Sequence, residues 1–416
     1  MSPAARLLLT CAVLWHALTV LSPAWVMTAE KANNGRDFAS FYYAVQAAAA
    51  GEDPYDKRAL AKAARVQGKR RSVHPFFYPP PFLLAMLWAV PLDLHTALQV
   101  WFWIDELAAL AAMLALWGWW REHDAEHVAV LVAGTFALMT AVPNNHIMGQ
   151  MNFPALALAL GGLWLTDRGR PGFGGALLGA ACMWKMSPAL LVAWWLLRRE
   201  WVAVAWACAT AAVLTLAAIP LVGLEHQVRF YTEVLPKFGS GDYNGLSVPI
   251  DMFGNHSLPN LWNEVARGDD LSLTPIARAL STLTTLGLVL GLGVAFRRPG
   301  PDALQRAAQV GAVGVVMLLV PVYTYEHHLV WAIPAVVVVA LGLRDGRLDP
   351  RWMPVLAFAI AVWAYDLQDL KALRNDLPRG PLMGITQELK FIALLSLGAA
   401  ATLMGARSHP TAKATG

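Results

Sequence analysis

One carboxylate, one lysine and a pair of histidines stand out in an otherwise apolar chain. Asp37 precedes Phe38, Phe41, Tyr42 and Val45, whose helical spacing predicts an amphipathic helix lying on a membrane. A lone carboxylate there can act as a general base. Asp is equally a favoured N-cap after the turn sequence Asn33-Asn34-Gly35, and both readings stay open. Asp53 and Asp56 are reserves, but Gly51 and Pro54 beside them read as a turn. Lys185 is a single charge between two apolar half-helices. Charge at membrane depth is costly enough to suggest function, the alternative being snorkelling to the interface. His327 and His328 follow Tyr325-Glu326, and adjacent residues on a helix point about 100° apart. One histidine can therefore face a site while the other packs or hydrogen-bonds locally. Gln150, Asn152, Asn255 and His256 are neutral hydrogen bonders, suited to ligand hydroxyls or to ordinary loop capping. Tyr78 opens the run Tyr78-Pro79-Pro80-Pro81.

The elements that must position these groups are membrane helices. With 57% hydrophobic and 14% charged residues, the chain is too apolar for a soluble domain. Strict period-2 alternation is absent, which argues against a barrel. Apolar segments fall at 6–28, 95–119, 126–142, 152–166, 173–185, 187–197, 201–222, 275–296, 303–320, 329–343, 352–367 and 387–404, giving twelve candidate spans. Several are shorter than the roughly 20 residues of a perpendicular crossing. The pair 173–197 could be a re-entrant hairpin, and 78–90 is too short to span. The expected fold is a single all-α integral membrane domain, 1–416, with large outer loops at 29–94 and 223–274 and a smaller one at 368–386.

Basic residues set the orientation. Arg6, Arg121, Arg168, Arg170, Arg198, Arg199, Arg297, Arg298, Arg306, Arg344, Arg347, Arg351, Arg407 and Lys413 share one side of this layout. The short loops opposite carry Lys371, Arg374 and Arg379, beyond Lys185 at the hairpin tip. The positive-inside rule then puts both termini in the cytoplasm and the polar candidates on the extracytoplasmic face. Loop 29–77 is itself basic, but long loops carry little topological weight. The first apolar stretch is long for a signal peptide and reads as an uncleaved helix. Much of the formal charge of +4 is this positive-inside signal, so no nucleic-acid partner is implied. Cys11, Cys182 and Cys208 read as small core residues without disulfide or metal chemistry. Gly175 and Gly179 form a small-xxx-small pair suited to helix packing, and Trp117, Trp119, Trp120 and Trp201 suit an interfacial belt.

Seven short motifs in order carry a resemblance. They are Asp37 with Tyr42-Tyr43 and Gly51…Pro54-Tyr55-Asp56, Tyr78-Pro79-Pro80, and Gly149-Gln150-x-Asn152. Gly179…Lys185…Pro188, Asn255-x-Ser257-Leu258 and His327-His328 complete the set. From about residue 30 to 345 the chain resembles family 87 of the membrane glycosyltransferases, enzymes of GT-C architecture. The resemblance implies about twelve helices and an inverting transfer, usually mannosyl, from a polyprenyl-phosphate sugar on the extracytoplasmic side of the plasma membrane. The acceptor would be a glycolipid or cell-envelope glycan. Asp37 would be the base, and Lys185 with His327 or His328 would steady the departing phosphate. Gln150, Asn152, Asn255, His256 and Tyr78 would contact sugar or acceptor.

No cofactor is implied beyond the lipid-linked donor. Glu326-His327-His328 lacks the i,i+4 spacing that puts two metal ligands on one face, and the first loop has no Asp-x-Asp. Asn255-His256-Ser257 also fits a glycosylation sequon, a match common by chance. The rival readings are a transporter or lipid flippase, and a non-enzymatic scaffold. Transporters favour repeat symmetry and ionisable midplanes. Here most span centres are uncharged, Asp105-Glu106 being the main exception, with no account beyond a helix contact or a water-filled cavity.

Overall fold

The computed structural model describes residues 1–22, 35–66, 68, 73–246, 248–250, 254–266, 271–298, 300, 302–365 and 381–406, without the side chains of 123 and 381–387. Most of the expected loop 368–386 lies outside the described residues, as do Lys371, Arg374, Arg379, Arg407 and Lys413. Within them the chain is helices joined by turns, and each of the twelve apolar segments falls on a helix. Six helices are long and apolar enough to cross a membrane, among them Pro3–Leu21, Leu94–Glu122 and Trp201–Val222. Asp124–Leu138 and Ala141–Met148, bent by 56°, make a seventh if they form one span.

Burial sorts these helices into centre and rim. Ala303–Leu319 and Ile333–Arg344 are sheathed on almost every side. Pro275–Ala295 instead exposes Leu283, Leu286, Leu290 and Val294 along one face. Such an apolar rim suits contact with lipid tails. Glycines set the closest packing. A Cβ on Gly175 would lie 2.1 Å from the Ala203 carbonyl oxygen, and one on Gly179 would lie 2.4 Å from that of Ala207. Pro171–Trp184 and Trp201–Ala217 therefore touch backbone to backbone, as the small-xxx-small spacing predicts.

Breaks fall where the sequence supplies caps. Asp124 leaves the helical region within Leu94–Leu138, and its carboxylate accepts the His127 amide at 3.1 Å. That separates the expected spans at 95–119 and 126–142. The 173–197 segment is two helices, Pro171–Trp184 and Ala189–Leu197, parted at Lys185. Residues 78–90 make only short turns, Phe82–Ala85 and Leu87–Ala89.

The basic loops converge at one end of the bundle. Arg168 meets Glu122 at 2.6 Å, Arg306 meets Asp167 at 2.9 Å, Arg344 meets Asp124 at 3.2 Å and Arg347 meets Asp302 at 2.6 Å. Loops 29–94 and 223–274 pack on each other elsewhere. Asn244 donates to the carbonyls of Tyr55 at 2.9 Å and Phe76 at 2.8 Å, and Arg229 pairs with Asp53.

Several expectations are corrected. The helix Arg36–Ala49 does not lie on a surface. Phe38, Phe41, Tyr42, Tyr43, Ala44 and Val45 are all buried, because neighbouring segments cover both its faces. Cys11 and Cys208 are exposed on outer helices, and only Cys182 is in the core. Trp119 and Trp120 are also core residues, whereas Trp201 is exposed.

Asp105 and Glu106 acquire an account. The buried His146 ring sits between them, Nδ1 at 2.8 Å from Asp105 and Nε2 at 3.2 Å from Glu106. His16 of the first helix reaches Glu106 at 2.6 Å. Asn145 donates to Asp105 at 2.8 Å, so the pair ties three helices together inside the bundle. Buried carboxylates require such compensation.

Candidate active site

Two left-handed glycines bring the catalytic candidates together. Gly35, at φ 68°, caps the start of Arg36–Ala49, and its amide donates to the Ile147 carbonyl at 2.8 Å. Gly149, at φ 65°, ends the helix Ala141–Met148. A Cβ on Gly149 would stand 2.7 Å from Cβ of Phe38, so the two turns nest only without side chains. Asp37 follows one turn and Gln150 the other. Gln150 Nε2 donates to Asp37 Oδ2 at 2.9 Å, and Gln150 Oε1 accepts the Tyr78 hydroxyl at 3.0 Å. His74 Nδ1 lies 3.7 Å from Asp37 Oδ1.

Asp37 is not the N-cap, since Gly35 holds that position. Its side chain is 18% exposed and lines a cavity of about 530 Å³. Burial alone would raise its carboxyl. The His74 contact, the charge of His327 and the Gln150 hydrogen bond outweigh that, leaving it below the ordinary aspartate value. Burial and the charge of Asp37 push the Tyr78 phenol up, so it remains a donor. The assembly is a carboxylate that stays ionised with one oxygen fixed by an amide.

The same cavity is lined by Lys185, Ser187, Glu326, His327 and His328. Lys185 terminates Pro171–Trp184 in an extended conformation, φ −145° and ψ 125°, and has no ion-pair partner among the described residues. His327 and His328 sit on the 3₁₀ turn Glu326–Ala332, and both reach the cavity. His328 Nδ1 also accepts the Tyr325 amide at 3.1 Å, the local bond expected of one of the pair. Phe77, Phe238, Tyr243, Tyr323 and Tyr325 add an aromatic wall. Tyr243 stacks on Phe238 with ring centroids 4.4 Å apart.

Three of the expected ligand residues do not line this cavity and are held by the fold instead. Asn152 is buried away from the cavity, where it donates to Asn145 at 2.9 Å and to the His327 carbonyl at 3.0 Å. Asn255 donates to the carbonyls of Ile250 at 2.8 Å and Val322 at 2.9 Å and accepts the Thr324 amide at 2.9 Å. It is 2% exposed, which hides the sequon within the fold. His256 points its buried ring at Glu326, 3.8 Å away, rather than at the cavity. The backbone around these residues needs partners, and it takes the amides first. Asp53 accepts the Tyr55 amide at 2.8 Å and Asp56 the Arg58 amide at 2.9 Å, the turn roles expected of them.

Sequence reasoning assigned no role to His74, Tyr243 or Lys390. Lys390, on the last helix, meets Glu326 at 2.6 Å. His74 belongs to no motif, and only the fold returns it to Asp37.

The whole is a polytopic helical membrane protein with a cavity of charged, polar and aromatic side chains where two long loops meet the bundle. The chain belongs to glycosyltransferase family 87, whose profile matches residues 76–321. It is similar to a protein of Mycolicibacterium smegmatis named as a polyprenol-phosphate-mannose-dependent alpha-(1-2)-phosphatidylinositol mannoside mannosyltransferase. The two are 26% identical over 243 residues, 56% of this chain and 52% of the relative. The chain thus spans about half the length of the curated relative it matches. Asp37, His327 and His328 lie outside the matched family segment.

Proposed function

We propose that this chain transfers a hexosyl group, mannosyl by the relative's name, from a polyprenyl-phosphate sugar to a hydroxyl of a glycolipid or envelope glycan. The observation that carries the reading is one cavity lined by an oriented carboxylate, Asp37, and by Lys185, His327 and His328.

In this scheme the acceptor hydroxyl approaches Asp37 and gives its proton to the carboxylate as its oxygen bonds to the anomeric carbon. The bond from that carbon to the phosphate oxygen breaks on the opposite side, and the phosphate leaves with the electron pair. A single displacement inverts the anomeric centre. Retention by double displacement would ask for a second carboxylate about 5 Å from the first. Lys185 and a histidine offer the leaving phosphate charge and hydrogen bonds. Lys185 supplies the cation, and no cofactor takes part.

The site belongs to a multi-pass protein of the plasma membrane. Up to twelve crossings put the Arg-rich end and both termini in the cytoplasm and the cavity outside, with 1–416 acting as one domain. Clustering of the basic loops at one end of the bundle supports this layout. Purified protein incubated with radiolabelled polyprenyl-phospho-mannose and a total lipid extract tests the reading. Transfer of label to a glycolipid is expected, and label left on the donor alone would contradict it.

A further inference from the structure

The last helix, Pro381–Ala406, lies beyond the segment matched to the family, yet it places a charge against the cavity wall. Lys390 is 0% exposed and its Nζ meets Glu326 Oε1 at 2.6 Å. The Thr140 hydroxyl donates to the same oxygen at 2.5 Å. Nε2 of His256 stands 3.8 Å from the other carboxylate oxygen. Glu326 is the first residue of the turn that carries His327 and His328, and it lines the same cavity as Lys185.

A carboxylate so near a site for an anionic phosphate is a hazard. Left uncompensated, it would repel the incoming anion or capture the cation meant for it. Burial makes either error costly, because little water screens the charges. From this geometry we infer that Lys390 is a positioning residue for phosphate binding. Its ammonium neutralises Glu326 from behind and holds the turn 326–332, so that Lys185 and the histidines stay available to the phosphate. The inference rests on the donor reading above.

Its test is the affinity of the full chain, in lipid nanodiscs, for polyprenyl monophosphate, which needs neither acceptor nor turnover. Lys390→Met should weaken binding about tenfold or more, since removing one partner strands the other charge. Adding Glu326→Gln to Lys390→Met removes the stranded charge and should return affinity to within about threefold of the parent. A purely structural role for Lys390 predicts no such rescue. A double variant as weak as the single, or a single variant that binds normally, overturns the inference. If Lys390→Met does not fold, Lys390→Arg decides: near-parental affinity upholds a charge role, and a tenfold loss overturns it. The Lys185→Ala variant separates the two levels. Weakened binding there with intact binding in Lys390→Met sinks only the role of Lys390, whereas no binding by the unaltered chain sinks the donor reading with it.

Discussion

Gln150 Nε2 donates to Asp37 Oδ2 at 2.9 Å, although 113 residues separate the two. The bond exists because Gly35 and Gly149 turn left-handed against each other. It fixes one carboxylate oxygen and leaves Oδ1 on the side of His74 and the cavity.

The pH profile should report this bond. Asp37 lies below the ordinary aspartate value, so it is ionised throughout the neutral range, and the acid limb of activity should follow its depressed pKa. Gln150→Leu removes one stabilising donor and His74→Ala another, and each should move the acid limb of kcat/KM to higher pH. An unmoved limb in both variants would detach the titration from Asp37.

Lys185 lines the cavity and has no ion-pair partner among the described residues. Lys185→Met should raise donor KM by about tenfold or more and leave the melting temperature near that of the parent, because no internal bond is lost. Normal kinetics at sub-saturating donor would give the phosphate another partner.

Asn255 predicts the opposite pattern. Asn255→Ala strands the buried Ile250 carbonyl and the Thr324 amide, at about 1–3 kcal/mol for each group left unpaired, while the Val322 carbonyl keeps the Ser257 hydroxyl. Thermal unfolding should occur several degrees lower, while the folded fraction keeps its donor KM. A raised KM without loss of stability would restore Asn255 to the binding site.

Topology can be read by thiol labelling once the exposed Cys11 and Cys208 are replaced by serine. Single cysteines at Arg58 and Arg351, both exposed positions, should then label from opposite sides of the membrane. Labelling of both from one side would overturn the proposed orientation.

Much of this architecture was legible in the chain. Among the described residues every apolar run falls on a helix, and the small-xxx-small pair at Gly175 and Gly179 makes a backbone contact. Asp37, Tyr78, Gln150, Lys185, His327 and His328, singled out by residue type and spacing, meet around one cavity. Asn152, Asn255 and His256 do not line it, and the sequence could not foretell this, because a polar side chain in a tight turn looks the same whether it serves a ligand or the backbone. His74 and Lys390 were invisible for another reason. Their partners, Asp37 and Glu326, lie 37 and 64 residues away, and no local pattern encodes such a meeting.

The central claim is that Asp37 takes the proton from the acceptor. Asp37→Asn keeps the size of the side chain and an oxygen that can face Gln150, so folding should survive and the melting temperature should stay close to that of the parent. Loss of the base should nevertheless cut turnover by about 10²–10⁴-fold. Turnover measured beside melting temperature for Asp37→Asn and Asp37→Ala therefore tests the account most directly. It predicts two folded, nearly inactive proteins, and an Asn variant with parental turnover would contradict it.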